Sequence, residues 1–169
     1  PGELGNSLQV SVCPSAQAWS NTITGNVAIT TQTKTVTGTG TDFSNELVVG
    51  DLLELGPDKQ RIRVASIANS TSLTLSDNYT GNTLSSFATP TRYWEHFNSF
   101  DVAPGTSTYA NTQGGTTDEL HVAVVDEDGQ WTGVKDQVLE TFPSVSFASD
   151  AKKEDGSTNY YVNVINQQS

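Results

Sequence analysis

Short bursts of alternating apolar and polar residues recur along this chain, and they predict strands. Leu8, Val10 and Val12 alternate with Gln9, Ser11 and Cys13, which sets one group of side chains on a buried face and the other outward. Pro14 closes this first strand. Between Ser15 and Ile23 the pattern weakens, with Trp19 as the only large apolar residue, and predicts a loop or a short turn of helix.

Residues 24 to 91 change character: Thr and Ser are dense, charges are sparse, and Gly25, Gly38, Gly40, Gly50, Gly56, Pro57, Gly81 and Pro90 punctuate the run. Five strands are predicted there, at Val27-Ala28-Ile29, Lys34-Thr35-Val36, Leu52-Leu53-Glu54-Leu55, Arg61-Ile62-Arg63-Val64 and Ser72-Leu73-Thr74-Leu75. The Thr-rich tract from Thr31 to Thr41 reads as a strand with its turns rather than a linker. β-branched Thr suits a pleated, half-exposed surface, and Phe43, Leu47, Val48 and Val49 follow with apolar groups that a core can use.

Arg92 to Phe100 is an aromatic-rich return, a strand or a packed crossing, expected to seal a core edge. Residues 103 to 117 carry almost no large apolar group and read as an exposed mobile loop. Leu120 to Val125 is a strand, and Asp128-Gly129 predicts the hairpin turn after it, since Gly supplies positive φ. Val138 to Phe142 and Val145 to Phe147 are further extended segments, with Pro143 marking a break or an edge. After Asp155-Gly156-Ser157-Thr158-Asn159, the residues Tyr161, Val164 and Ile165 fall on one face of a capped helix.

These elements give an α+β, mainly β fold: a mixed sheet with one C-terminal helix, plus an inserted small all-β barrel or sandwich. Residues 1–23 and 92–169 form one discontinuous domain and 24–91 the insert. Only 34% of the 169 residues are hydrophobic, which disfavours an all-helical fold, and the net charge of −11 disfavours phosphate backbones and anionic membranes as partners. No stretch approaches the ~20 apolar residues of a membrane helix. Cys13 is the only cysteine, so no internal disulfide forms, and its strand position suits a small buried residue. The chain contains no Met, starts abruptly at Pro1 and stops at Asn166-Gln167-Gln168-Ser169 within or just after a helical pattern. Both ends are expected to be cut from a longer polypeptide.

No catalytic, cofactor-binding or metal-binding residue is assigned. His96 and His121 are the only histidines and lack the spacing of a nucleophile–base pair, and His121 is expected to be packed in the sheet or to face solvent. Asp126, Glu127 and Asp128 offer clustered oxygens to a cation, but Gly129 comes too early for a calcium loop and Gln137 stands where a bidentate Glu would close it, so a plain acidic turn is preferred. Neither Gly38-Thr39-Gly40 nor Gly114-Gly115 has the setting of a phosphate loop. Trp94, Phe97, Phe100, Trp131, Tyr160 and Tyr161 could make an aromatic platform for a sugar, although strand aromatics are more often core.

Two flanking stretches resemble the sheath protein of large contractile-tailed bacteriophages, including those that infect cyanobacteria. One is Gly2 to Val12. The other runs from Asp118-Glu119-Leu120 through Asp126-Glu127-Asp128-Gly129 and Val138-Leu139-Glu140-Thr141-Phe142 to Ala151-Lys152-Lys153, ending in Tyr160-Tyr161-Val162-Asn163-Val164-Ile165-Asn166. The order of strand, acidic hairpin, Leu-Glu-Thr-Phe strand and Tyr-Tyr helix carries the likeness, which covers well under half the chain. Residues 24 to 91 are similar instead to small β modules inserted in phage virion proteins.

The resemblance implies a structural virion protein with no catalysis. Its partners would be other sheath subunits and the tail tube protein, and it would be assembled in the host cytoplasm and located in the virion tail. Stacked rings would contract and drive the tube through the host envelope, with terminal arms adding strands to neighbours. This fragment, with no recognisable arm, is expected to be monomeric. The alternative is a surface binding module, in which the insert recognises a host glycan or another virion protein. A hydrolase, suggested only by plentiful carboxylates, ranks third.

Overall fold

The computed structural model describes residues 3–167; Pro1, Gly2, Gln168 and Ser169, which the readings of both termini include, lie outside the described residues. In chain order the strands are β1 (Leu8–Cys13), β2 (Ser20–Thr22), β3 (Asn26–Ile29), β4 (Thr35–Thr39), β5 (Leu52–Leu55), β6 (Gln60–Asn69), β7 (Ser72–Leu75), β8 (Leu84–Phe87), β9 (Thr91–Tyr93), β10 (Glu119–Asp126) and β11 (Gln137–Ser146). The helices are α1 (Ala16–Trp19), α2 (Phe43–Glu46), α3 (Thr108–Thr112) and α4 (Tyr161–Gln167). The fold is α+β and mainly β. It divides into two compact units, one of Pro1–Trp19 with Asn98–Ser169 and the other of Ser20–Phe97.

In the discontinuous unit the sheet order is β1-β10-β11. Where a mixed sheet was expected, the strands pair antiparallel, and parallel pairing appears as an isolated bridge between Ser146 and Tyr160. β10 is apolar on both faces because both are covered. On one side Leu120, Val122, Phe142 and Val145 form a core closed by Tyr161, Val164 and Ile165 of α4, the three residues that helical periodicity selects. On the other side the His121 ring stacks on Phe100 at 4.5 Å and meets the edge of Trp19 at 5.4 Å.

On β1 the set that includes Cys13 is the buried one, as its strand position suits. Cys13, paired with His121, is fully buried, whereas Val10 and Val12 are 62% and 45% exposed. Directly opposed residues share a face, so Val10 and Val12 lie beside Val124 and Val122 on the α4 side. The core under α4 draws on β10 and β11 and does not extend to Val10 and Val12. Alternation separated the two sets of β1 correctly but could not say which was covered.

Pro143 does not break the second hairpin strand, since β11 runs through it at the sheet edge, where a missing N–H is tolerated. The hairpin has a ten-residue connection instead of a tight turn, with Gly129 at φ 79°. Residues 103–117 were read as a featureless loop, yet they contain α3, whose first turn is capped by Ser107 Oγ accepting from Ala110 N.

The 20–97 unit holds all five predicted strands and three more, β2, β8 and β9, in the order β2-β9-β5-β6-β7-β4-β3-β8. The centre is β6, whose first half pairs with β5 and whose second half pairs with β7 across two register shifts. Bulges bend a strand and increase its twist, so β6 carries the sheet around a single core of Val27, Ile29, Val36, Leu53, Leu55, Ile62, Val64, Leu73 and Leu75. Of the four apolar residues offered to a core here, Phe43 and Leu47, from α2 and its exit, join it, whereas Val48 and Val49 are more than 60% exposed. Gly25 is required by a close approach: at φ 80° an added Cβ would lie 2.5 Å from the Gly40 carbonyl carbon.

Tyr79 is fully buried and its hydroxyl has no hydrogen-bond partner, lying against Gly56 and Gly81. A buried hydroxyl without a partner opposes folding. Tyr79→Phe is therefore expected to leave stability unchanged or raise it by up to about 1 kcal/mol, measured as the urea midpoint.

Candidate assembly edge and the groups around it

Opposite His121, β11 carries two residues, Pro143 and Ser144, between the Phe142–Val122 and Val145–Leu120 pairs, which is a β-bulge. Ser144 has φ 48°, unusual for a non-glycine residue. Its N–H, lost to the ladder, donates to His121 Nδ1 at 2.9 Å, and its C=O accepts from the buried Asn159 Nδ2 at 3.0 Å. With Nδ1 accepting, His121 Nε2 is left to donate to the Val102 carbonyl at 2.7 Å. Both ring nitrogens serve the backbone, so His121 is a packing and bulge-satisfying residue.

The carboxylates near the hairpin are used in the same manner. Asp118 accepts from Ser107 N at 2.7 Å, from Ser107 Oγ at 2.8 Å and from Ser146 Oγ, tying the α3 segment to β11. Burial alone would raise its pKa, but these hydrogen bonds outweigh it and hold the carboxyl below its ordinary value. Asp126 is fully buried at the end of β10, and its Oδ2 accepts from Trp131 N, Thr132 N and Thr132 Oγ1 at 2.7–3.0 Å. These donors likewise overcome burial and lower its pKa. Asp128 accepts from Ser7 Oγ and Gln130 N. The acidic turn is thus an acceptor framework for its own loop, and among the described residues no group of three or more His, Cys, Asp or Glu is placed to hold a metal ion.

In the 20–97 unit, Asp51 takes Val48 N at 3.0 Å and the Arg92 guanidinium at 3.3 Å. Burial pushes this carboxyl above its ordinary value despite both contacts. His96 is buried against the Trp94 ring, with Nε2 3.2 Å from Glu95 Oε1. Of the aromatic residues considered for a sugar platform, Trp94 and Phe97 are buried in this unit; in the other, Phe100 is buried, Tyr161 of α4 packs against the core of β10 and β11, and Trp131 is half-exposed on the hairpin loop.

In the discontinuous unit, at the opposite end of the sheet from β11, lies β1, its other end strand. Its register against β10 shows no shift, and its sequence LQVSVC has no Lys, Pro or Gly. These are the devices that normally blunt an edge. Val10 and Val12 add an exposed apolar stripe along it. A regular end strand with an uncovered apolar row is suited to receive another extended segment, whose backbone would extend the sheet while its side chains cover the valines.

Two substitutions check the framework. His121→Phe keeps the stack on Phe100 but strands the Ser144 N–H and the Val102 carbonyl, and is expected to cost roughly 2–4 kcal/mol in urea unfolding. Asp118→Asn is expected to cost about 1 kcal/mol at neutral pH, a screened value because the group is partly exposed. Since folding lowers the Asp118 pKa, its stabilisation is present above the unfolded value of 3.8 and is lost as pH falls through the folded value. The gap between the two proteins should therefore narrow progressively as unfolding is measured at pH values further below 3.8.

No protein-family model, no curated protein and no solved structure matches this chain.

Proposed function

We propose that this chain is a structural, non-catalytic piece of a contractile bacteriophage tail sheath, assembled in the host cytoplasm and resident in the virion tail. Its partners are other sheath subunits and the tube protein. The observation that carries the reading is that β1 is an end strand of its sheet with Val10 and Val12 exposed on it. Subunits linked through such an edge keep backbone hydrogen bonds between neighbours while the lattice changes shape, which a contracting sheath requires. A second observation supports it: the stretches that resemble the sheath family supply β1, β10, part of β11 and α4, which are joined in one three-stranded sheet with the helix packed on it. His121, Asp118 and Asp126 of that unit are occupied in holding backbone, consistent with a scaffold.

Immunoelectron microscopy of particles carrying this chain, with antibody raised against residues 20–97, is expected to label the tail along its whole length. Label confined to the capsid or the tail tip would overturn the reading. In the same system Val10→Lys with Val12→Lys should alter the stability of the isolated chain by no more than about 0.5 kcal/mol, because both positions are exposed. It should nevertheless prevent full-length tails from forming, scored by counting tailed particles.

A further inference from the structure

Charge is unevenly divided within the 20–97 unit. The strands β2, β9 and β5 and the first half of β6 carry Arg92, Glu54, Arg61 and Arg63, whereas β3, β4, β7, β8 and the second half of β6 contain no charged residue. In a chain of net charge −11, a whole half-sheet without charge sets a definite chemistry. On it lies an open groove of about 460 Å³, within the usual size of ligand sites. Thr30, Thr33, Thr35, Thr37, Thr83 and Ser85 line it together with Ala28 and Leu84.

The hydroxyls are mixed in character. Thr33 Oγ1 donates to the Thr30 carbonyl at 2.7 Å and keeps acceptor capacity, and Thr83 Oγ1 accepts from Thr31 N at 3.1 Å and keeps its proton. Those of Thr30, Thr35 and Ser85 make no hydrogen bond among the described residues. The rim is held in place: Gln32, at φ 62°, donates its N–H to the Tyr79 carbonyl at 2.7 Å, and Tyr79 N returns a bond to the Thr33 carbonyl at 2.9 Å. A fixed site loses little conformational entropy when it binds.

We infer that this groove binds an uncharged glycan. A neutral sugar presents hydroxyls that both donate and accept, matching the mixed row, and C–H faces that rest on threonine methyls, Ala28 and Leu84. Phosphorylated, sulfated or acidic ligands would find no cation among the lining residues. The inference stands apart from the assembly reading, and the labelling of tails does not bear on it.

The test is titration of the full chain followed by amide chemical shifts, with dextran and mannan as neutral probes, dextran sulfate as the anionic one, and a neutral-glycan array to widen the search. Shifts are expected within residues 28–37 and 83–85 for a neutral probe and absent for the sulfated one. The Thr35→Val, Thr37→Val double variant removes two hydroxyls while keeping β-branched side chains, and should bind roughly tenfold or more weakly with an unchanged melting midpoint. Should that variant lose its fold, Ser85→Ala on the facing strand provides the same comparison. Shifts elsewhere, undiminished binding by the variants, equal binding of dextran sulfate, or silence from both neutral probes and the array would overturn the inference.

Discussion

The antiparallel pairing of β1 with β10 is the constraint on which the discontinuous unit depends. Leu8 lies opposite Asp126, so the pairing closes a loop of roughly a hundred residues. Such a closure is entropically costly unless the intervening chain is already compact. Here it is, because residues 20–97 fold around their own core, and the entering strand β2 pairs with the leaving strand β9, Ser20 against Tyr93 and Thr22 against Thr91. The ends of the insert are thereby held close together. Each halving of the effective loop lowers the closure cost by about 0.6 kcal/mol, and a domain with adjacent ends is the kind that tolerates insertion.

The same pairing explains where the polar side chains went. β10 is covered on both faces, so its hairpin partner must adapt, and the adaptation is the bulge at Pro143–Ser144. Bulging releases backbone groups that need partners. His121 takes the freed N–H and Asn159 the freed C=O. Asp118 and Asp126 do the corresponding task for the α3 segment and the hairpin loop. Residues that look in the sequence like candidates for acid–base or cation chemistry are thus spent on backbone geometry, the ordinary use of buried polar groups in a sheet with few helices to cap.

Legibility in the sequence followed the strength of periodic signals. Four of the five strands predicted in the insert, β3, β5, β6 and β7, were readable from two or more apolar residues, as was the α4 face of Tyr161, Val164 and Ile165, because burial enforces the spacing. β4, with Val36 alone, was readable from its β-branched threonines. β2 and β8 were not, since Ser-Asn-Thr and Leu-Ser-Ser-Phe hold too few apolar positions to show a period, and β9 was legible only as a strand or a packed crossing. The compositional change at residues 24 and 91 lies a few residues inside the compact unit for that reason. α3 was hidden because its attachment is polar, through Ser107 and Asp118, and spacing alone does not reveal a hydrogen bond between residues eleven apart. The exposure of Val10 and Val12 was not legible because a period of two states that faces differ, not which one is buried. The hydroxyl groove was visible only as a Thr-rich tract, since its depth comes from β8 and Thr83, far along the chain.

The two surfaces left open differ in the physics each offers. At β1, affinity would come from backbone hydrogen bonds and apolar burial, both insensitive to the sequence of the incoming segment apart from alternate side chains. That suits repeated contacts between identical subunits. On the uncharged half-sheet the backbone of β3, β4 and β7 is already paired on both sides, so recognition falls to side-chain hydroxyls, which discriminate by the placement of donors and acceptors. An exposed face without charge is ordinarily an aggregation hazard. Threonine moderates it, since the hydroxyl keeps the surface hydrated while the methyl preserves strand preference and apolar contact. A face built this way can stay in water until it meets a ligand with equally many hydroxyls.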